Sequence, residues 1–305
     1  MLYFVVNPHA KSKYGWRIWK KIEKELNKRQ QPYRCYITKR PKEAIVYGKK
    51  LTVGQEQRHI VILGGDGTLN EFLNGMTRAE GICLSYLPIG SGNDFARGMK
   101  ISSDYKKELK KILDGGTRQM VDYGIYTNGD GKKIRFFISA GMGYDAEVCH
   151  KVELAPMKKL LNRCGLGKLS YLVIGVAYLL RAKTFSGQLV IDGKEVLHGD
   201  GILFISVHNQ PFEGGGLYFC PNADSGDGYL DVCAAKGLPK WKIPFIIPMA
   251  YAGKHVGKKG VYQFSGKKIE AVLEEKQYLH TDGEPRKQEK AVKMEISREK
   301  IAFLR

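Results

Sequence analysis

The stretch His59–Gly75, HIVILGGDGTLNEFLNG, decides the fold of the first part of this chain. It begins with an apolar run that predicts a buried strand, and a glycine-rich turn then leads directly into a helix. Glycines let the backbone come close to a ligand, and the N–H groups at the start of a helix attract phosphate. Asp66, in the turn, could then reach a Mg²⁺ ion bound to that phosphate. We also expect Thr68 to cap the helix, with Glu71 completing a capping box three residues later.

A second glycine-rich turn follows the next predicted strand, within Leu87–Gly98, LPIGSGNDFARG. Ser91 adds a hydroxyl group there, and Asn93 and Asp94 are residue types that commonly cap helices. Two such turns after successive strands point to a crevice at the carboxyl edge of an open α/β sheet, where ligands bind. From the pattern alone, each could instead be an ordinary strand-to-helix turn, although the pair together favours a binding site.

The pattern of the chain changes near residue 126. Residues 1–125 alternate strand and helix patterns, which predicts a parallel sheet with helices on both faces. The later residues contain mainly strand patterns, with a hairpin signal at Asp192-Gly193 and helical stretches at about 166–182 and 239–252. We therefore expect two domains: a doubly wound α/β domain over 1–125, and an antiparallel β domain with helical insertions over 126–290.

The charge of the chain predicts an anionic partner. Its 305 residues include 50 Lys and Arg against 31 Asp and Glu, a formal net charge of +19. Nucleic acid, a membrane surface or a phosphorylated ligand would each be attracted. The longest apolar run, near 171–180, is too short to span a bilayer, which takes about 20 residues. Six cysteines without a C-x-x-C pair fit reduced thiols in a cytosolic protein.

Several other site classes are disfavoured. The chain has neither a P-loop motif nor the G-x-S-x-G motif of serine hydrolases. Gly141–Ala146, GMGYDA, matches a dinucleotide-binding pattern, but no acidic residue follows at the expected distance, so a strand-to-helix turn is the better interpretation. The loop Pro221–Asp231, PNADSGDGYLD, is rich in the oxygen ligands that Mg²⁺ prefers, although an ordinary turn is an equally good reading.

Four motifs occur along the chain in this order: GGDGTLNE at Gly64–Glu71, PIGSGNDFAR at Pro88–Arg97, PNADSGDGYLDV at Pro221–Val232 and TDGEP at Thr281–Pro285. Together with Asn7-Pro8, they resemble the diacylglycerol kinase catalytic-domain family, which includes soluble bacterial diacylglycerol kinases, related lipid kinases and sphingosine kinases. The resemblance covers nearly the whole chain. It departs from the family where Lys11 and Ser91 stand, since the family often has glycine and threonine at these positions.

The resemblance implies an ATP- and Mg²⁺-dependent lipid kinase, with diacylglycerol as the expected substrate and phosphatidic acid as the product. It also implies an NAD-kinase-like first domain, a β-sandwich second domain, and ATP in the cleft between them. The segment 291–305 is expected to return to the first domain. Glu284 matches a proposed general base, and Asp66 matches an essential acid tied to Mg²⁺, which some relatives use as the base.

The resemblance further implies two sets of binding residues. The nucleotide site would comprise Asn7, Thr38, Gly64, Gly65, Asp66, Gly67, Thr68, Asn70, Glu71, Ser91, Gly92 and Asn93. A structural Mg²⁺ site would comprise Asp224, Asp227 and Tyr229.

Two alternatives stay open. One is a kinase of a soluble substrate, such as NAD kinase, although the last two motifs favour a lipid. The other is a basic nucleic-acid-binding protein, for which no helix-turn-helix, RRM or zinc-finger signature is present, so no nucleic acid is expected. The expected partners are ATP, a membrane lipid and an anionic membrane surface, for a cytoplasmic protein bound peripherally to the membrane. The two helical stretches could add apolar contact with that membrane, and a homodimer is left open.

Overall fold

The computed structural model describes residues 1–154 and 182–305, which form two compact units. The first unit contains Met1–Asp122 and Arg298–Arg305, and the second contains Tyr123–Ser297. The return of the chain to the first unit is shorter than the expected 291–305, because residues up to Ile296 belong to a strand of the second unit. The helical stretch predicted near 166–182 lies outside the described residues except for its last position.

The first unit is built on a six-stranded sheet. Its strands are β1 (Leu2–Val6), β2 (Tyr33–Ile37), β3 (Arg58–Gly64), β4 (Ile82–Pro88), β5 (Arg118–Val121) and a late strand, Ile301–Leu304, which becomes β15 in chain order. The order is β2-β1-β3-β4-β15-β5, and every neighbouring pair except β15 and β5 is parallel. The carboxyl ends of β3 and β4 therefore lie side by side.

Five helices connect these strands. They are α1 (Ala10–Lys28), α2 (Glu43–Thr52), α3 (Asp66–Gly75), α4 (Asp94–Gly98) and α5 (Tyr105–Leu113). In α1, the buried residues Trp19, Ile22 and Leu26 follow helical spacing and pack in one core with Phe4 of β1. All five residues of β1 are buried, so both faces of this strand are covered, as a parallel sheet requires.

The second unit contains nine strands among its described residues. They are β6 (Gly124–Thr127), β7 (Lys133–Phe136), β8 (Ser139–Gly143), β9 (Phe185–Ile191), β10 (Lys194–His208), β11 (Leu230–Lys236), β12 (Val261–Gly266), β13 (Lys268–Thr281) and β14 (Glu284–Ile296). All their pairings are antiparallel, in the order β12-β11-β10-β8-β13-β14-β6-β7, with β9 beside β10 and β13. The alternating inward side chains form their own core.

Helices interrupt this sheet. Helix α6 (Tyr144–Leu154) follows β8 without a loop, which confirms the strand-to-helix turn expected at GMGYDA. A short 3₁₀ helix (Lys240–Lys242) leads into α7 (Ile243–Tyr251), within the stretch predicted over 239–252. In the described parts of the chain, no helix combines the length and the apolar character needed to cross a membrane.

Candidate active site

The two glycine-rich turns touch each other at the carboxyl ends of β3 and β4. Gly64 pairs in register with Pro88, and the Ile89 N–H donates to the Gly64 carbonyl at 2.8 Å. A Cβ atom added to Gly90 would lie 2.6 Å from the Cα of Gly65. Only glycine allows backbones to approach this closely, so both turns need it for packing as well as for ligand access.

The carboxylate of Asp66 is held at this junction by two donors. Its Oδ2 accepts the main-chain N–H of Asp94 at 3.0 Å, and its Oδ1 accepts the hydroxyl of Tyr86 at 3.4 Å. Burial raises the pKa of Tyr86 well above its usual value, and the neighbouring Asp66 carboxylate raises it further. Tyr86 therefore stays protonated and remains a donor, which fixes the direction of the Asp66 carboxylate.

The predicted capping box at the start of α3 is wrong. The helix begins at Asp66, two residues before Thr68, and no side chain caps it. The Thr68 hydroxyl instead accepts from the Asn7 amide at 3.0 Å, and Glu71 accepts the N–H of Lys42 at 2.9 Å. Because Thr68 already lies inside the first turn, its side chain ties the helix to the end of β1 rather than to its own backbone.

A cleft of about 510 Å³ opens above these turns in the first unit. Three cations line it that the motifs did not indicate: Lys11, Lys39 and Arg40. Lys11 has a φ of 49°, in the left-handed region that favours glycine. The cleft thus combines cations with the first-turn backbone of α3, a combination suited to an anion.

The predicted nucleotide residues divide into two groups. Those that line the cleft are Asn7, Thr38, Gly65, Gly67, Thr68, Glu71 and Ser91. Those that do not line it are Gly64, Asp66, Asn70, Gly92 and Asn93. One member of the second group supports a residue that lines the cleft: Asn93, with a φ of 55°, bonds through its side chain to both the N–H and the carbonyl of Gly90, at 2.9 and 3.1 Å. Asn70 is buried within α3.

In the second unit, Glu284 stands on a clamped hairpin. Thr281 pairs with Glu284 across the two-residue turn Asp282-Gly283, whose φ values of 49° and 78° are those of a type I′ turn. The Asp282 carboxylate accepts three main-chain N–H groups, from residues 137, 138 and 139, at 2.8 to 3.0 Å. The Glu284 side chain is exposed on this rigid support, as a group that must meet a substrate would be.

In the acidic loop of the second unit, carboxylates accept hydrogen bonds from main-chain N–H groups of the same loop. Asp224 accepts the N–H of Gly226 and Asp227 accepts the N–H of Tyr229, each at 2.9 Å. Burial, together with the charge of Asp227, raises the pKa of Asp231 to about 6. Carboxylates and main-chain oxygens are the ligands that a hard cation prefers, so the composition of the loop fits Mg²⁺ chemically. The Mg²⁺ site at Asp224, Asp227 and Tyr229 stays a prediction.

Comparison with known proteins places these features in one family. Residues 1–124 match the model of the diacylglycerol kinase catalytic domain, and residues 138–303 match that of the YegS C-terminal NAD kinase beta sandwich-like domain. The chain is 31% identical, over 92% of its length, to the "Putative lipid kinase YtlR" of Bacillus subtilis (strain 168), of which it covers 92%. This chain belongs to the diacylglycerol kinase catalytic-domain family.

Other members of this kinase family agree with that assignment. The chain is 29% identical over 65% of its length to a diacylglycerol kinase of Mycobacterium tuberculosis (strain H37Rv), of which it covers 61%. A crystal structure described as a diacylglycerol kinase from Bacillus anthracis str. Sterne matches with a TM-score of 0.73 at 21% identity, over 99% of this chain and 96% of that one. The expected two-domain α/β fold and the kinase class are thereby confirmed.

The second unit of this kinase also holds an apolar pocket that the sequence analysis missed. The pocket has a volume of about 130 Å³ and is lined mainly by aliphatic and aromatic side chains of α6, β10, α7 and the loops next to them. Asp145 and Glu213 stand among its lining residues. Both carboxylates contact Nε2 of the buried His280, at 3.4 and 3.1 Å. Burial alone would lower the pKa of His280, but these carboxylates outweigh it and raise the pKa to about 9.

Two residues that line this pocket, Cys149 and Glu213, belong to a buried cluster that combines a thiol, a carboxylate and an imidazole. Cys149, Glu213 and His280 place their potential ligand atoms within 4.8 Å of one another. Glu213 directly precedes three consecutive glycines, the one local signal that could have drawn attention to it. His280 is reached only through the long-range pairing of β13 with β8, where it lies opposite Gly141.

Proposed function

We propose that this kinase transfers the γ-phosphate of ATP, with Mg²⁺, to the hydroxyl group of diacylglycerol and so forms phosphatidic acid. The observation that carries the proposal is Asp66, fixed by Asp94 and Tyr86 beside a cleft lined by cations. Phosphoryl transfer depends mostly on positioning and on charge stabilisation, and this arrangement supplies both.

The first unit would bind the nucleotide. The backbone of the glycine-rich turn would approach the phosphates closely, and Lys11, Lys39 and Arg40 would balance their charge. Asp66 would hold Mg²⁺, since a fixed carboxylate beside a phosphate cleft suits a hard cation that neutralises charge on the phosphate oxygens. Asn7 and Thr68 would keep the turn in register with the end of β1.

The second unit would supply the base. Glu284 would accept the proton of the lipid hydroxyl, whose oxygen forms the new bond to the γ-phosphorus while the bond to the oxygen of the departing ADP breaks. A base of this kind needs a fixed position, which the clamp on Asp282 provides. Arg286 lies in the same hairpin; burial lowers its pKa, whereas the Glu284 carboxylate opposes that shift.

The apolar pocket supports a lipid substrate over a soluble one. Its volume of about 130 Å³ is close to that of the engineered apolar cavity of about 150 Å³ that binds benzene. It therefore suits a segment of hydrocarbon chain. A dinucleotide such as NAD, which is polar and much larger, would not use this apolar pocket, so the pocket favours a lipid substrate over the soluble-substrate alternative.

A substrate panel tests the proposed function. Purified enzyme with labelled ATP would be given diacylglycerol, phosphatidylglycerol and a sphingoid base in mixed micelles, and NAD in solution. We expect labelled phosphatidic acid as the main product. Glu284→Gln should lower kcat by about 10²–10⁴-fold and Asp66→Asn should abolish turnover, whereas Asp114→Asn, a change on the exposed surface of the first unit, should do neither. Phosphorylation of NAD without labelled lipid would overturn the proposal.

A further inference from the structure

One segment of the second unit is strongly cationic. Lys236–Gly260 contains six lysines and neither Asp nor Glu, although acidic residues make up about a tenth of the whole chain. This lysine-rich segment includes the 3₁₀ helix and α7. A local excess of positive charge of that size attracts an anionic surface, and salt weakens this attraction.

The same segment exposes large aromatic side chains. Trp241 is 67% exposed and Phe245 is 68% exposed, the two highest values among the aromatic residues of the described chain. The ammonium group of Lys242 lies 5.3 Å from the Trp241 ring. Exposed Trp and Phe among lysines are typical of segments that lie in the interface of a bilayer, where the rings enter the headgroup region and the cations contact lipid phosphates.

The other side of α7 faces the apolar pocket. Ile243 and Ala250 are buried, and Ile246 and Ile247 line the pocket beside them. The helix is therefore a single wall with pocket-lining aliphatic side chains on one side and exposed aromatic side chains on the other. The exposed aromatic side chains and the pocket are therefore close together on one short helical segment.

We propose that Lys240, Trp241, Lys242 and Phe245, here called the α7 membrane patch, insert into the surface of an anionic bilayer and place the apolar pocket against it. The role of the pocket as the site of an acyl chain rests on the proposed function, whereas binding of the patch to the bilayer does not. The charge of the segment indicates an anionic bilayer as the binding partner. Lysines around exposed aromatic rings complement anionic headgroups, and each lysine near such a surface favours binding.

Vesicle binding without ATP or substrate tests the patch directly. The probe is co-sedimentation with phosphatidylglycerol vesicles and with phosphatidylcholine vesicles at rising salt. We expect wild type to bind the anionic vesicles, to bind the neutral ones weakly, and to dissociate as salt rises. Trp241→Ala with Phe245→Ala should weaken binding by at least about tenfold, and so should Lys240→Glu with Lys242→Glu.

The matched control removes other exposed apolar surface from the same unit. Val272→Ala with Tyr262→Ala should bind vesicles like wild type, because these residues lie outside the patch. The melting temperature of each variant shows whether it is folded. The charge-reversal pair leaves the aromatic residues in place, so it tests the patch independently of the aromatic pair. Unchanged vesicle binding by both patch variants would overturn the proposal.

Two further outcomes separate this proposal from the function itself. If the patch variants lose vesicle binding but still phosphorylate a short-chain, water-soluble diacylglycerol, both the kinase function and the membrane role of the patch are supported. If wild type binds anionic vesicles through the patch but phosphorylates no lipid, the proposed function fails and the membrane patch stands.

Discussion

The carboxylate of Asp66 accepts the main-chain N–H of Asp94 at 3.0 Å, so the acid of the first glycine-rich turn is oriented by the second. The Asp94 side chain is itself tied to Arg97, which fixes the start of the short helix α4. Together with the backbone contact between Gly65 and Gly90, this makes the two turns one rigid element. Neither motif alone therefore builds the site, and damage to one turn should disable the other.

The contact between the turns predicts that Gly90→Ala impairs nucleotide binding. The added Cβ would lie 2.6 Å from the Cα of Gly65 and 2.8 Å from Oδ1 of Asn93, so the turns must separate. We expect the Kd for ATP, measured by calorimetry, to rise at least about tenfold. Gly129→Ala, in a turn outside the nucleotide site, is the control, because its Cβ would meet no atom closer than 3.4 Å. Equal effects of the two changes would show that the contact between the turns is unimportant.

The clamp on the second-unit hairpin predicts that Asp282→Ala lowers catalysis. Three main-chain N–H groups lose their acceptor, so the turn that carries Glu284 loosens. We expect kcat to fall at least about tenfold while the Kd for ATP is unchanged, since positioning errors of about 1 Å can cost about 10²-fold in rate. Steady-state kinetics and ATP calorimetry measure the two quantities.

Asp192→Ala is the control for this change. Asp192 also begins an Asp-Gly hairpin turn at positive φ, and its carboxylate also accepts main-chain N–H groups, from Lys267 and Lys268. Both variants should lower the melting temperature, because each removes hydrogen bonds to a charged group. Only Asp282→Ala should lower kcat. A matching fall in kcat for Asp192→Ala would mean that general loss of stability explains the result.

The local sequence patterns predicted the strand–turn–helix units well, because each strand, turn and helix is encoded in adjacent residues. The motif order also predicted the family, which the comparisons confirm. The cap at Thr68 was predicted wrongly because local propensity was overridden by a tertiary partner, Asn7, which lies 61 residues away. The contact of Gly65 with Gly90 was likewise invisible, since it depends on β3 and β4 being neighbours.

The rest of the site could not be predicted because it depends on strand order. Lys39 and Arg40 carry no motif, and they reach the cleft because β2 lies beside β1 in the sheet. His280 meets Asp145 because the antiparallel pairing of β13 with β8 brings together residues 135 positions apart. Neither arrangement has a period or spacing in the sequence that a local pattern could show.

The acidic loop predicts a pH dependence of stability. Burial and the charge of Asp227 raise the pKa of Asp231 to about 6, above the value of about 3.9 in an unfolded chain. The folded state therefore binds more protons between these values, so this residue makes stability fall as pH rises from about 4 to about 6. Asp231→Asn should remove that contribution. The melting temperatures of wild type and Asp231→Asn, measured across this pH range, test the prediction. If the two melting temperatures change with pH in the same way, the prediction is contradicted.

The same loop gives a test of the predicted Mg²⁺ site. A bound cation would offset the cost of the ionised Asp231, so Mg²⁺ at neutral pH should raise the melting temperature of wild type. Asp227→Ala should reduce that increase, while Asp114→Asn should leave it intact. An equal increase in all three proteins would place any Mg²⁺ effect outside this loop.

The apolar pocket predicts a change in chain-length preference when it is filled. Ala250 is buried on the pocket side of α7, and Ala250→Phe adds a ring to a space of about 130 Å³. If an acyl chain occupies this space, the KM for a long-chain diacylglycerol should rise at least about tenfold, whereas kcat with a short-chain one should change little. Overpacking costs about 1–3 kcal/mol of stability, so the melting temperature is measured alongside.

Ala252→Phe places the same ring on an exposed position just after the helix and should leave both kinetic constants unchanged. A KM for the long-chain diacylglycerol that is the same in Ala250→Phe as in wild type would mean that the acyl chain binds elsewhere.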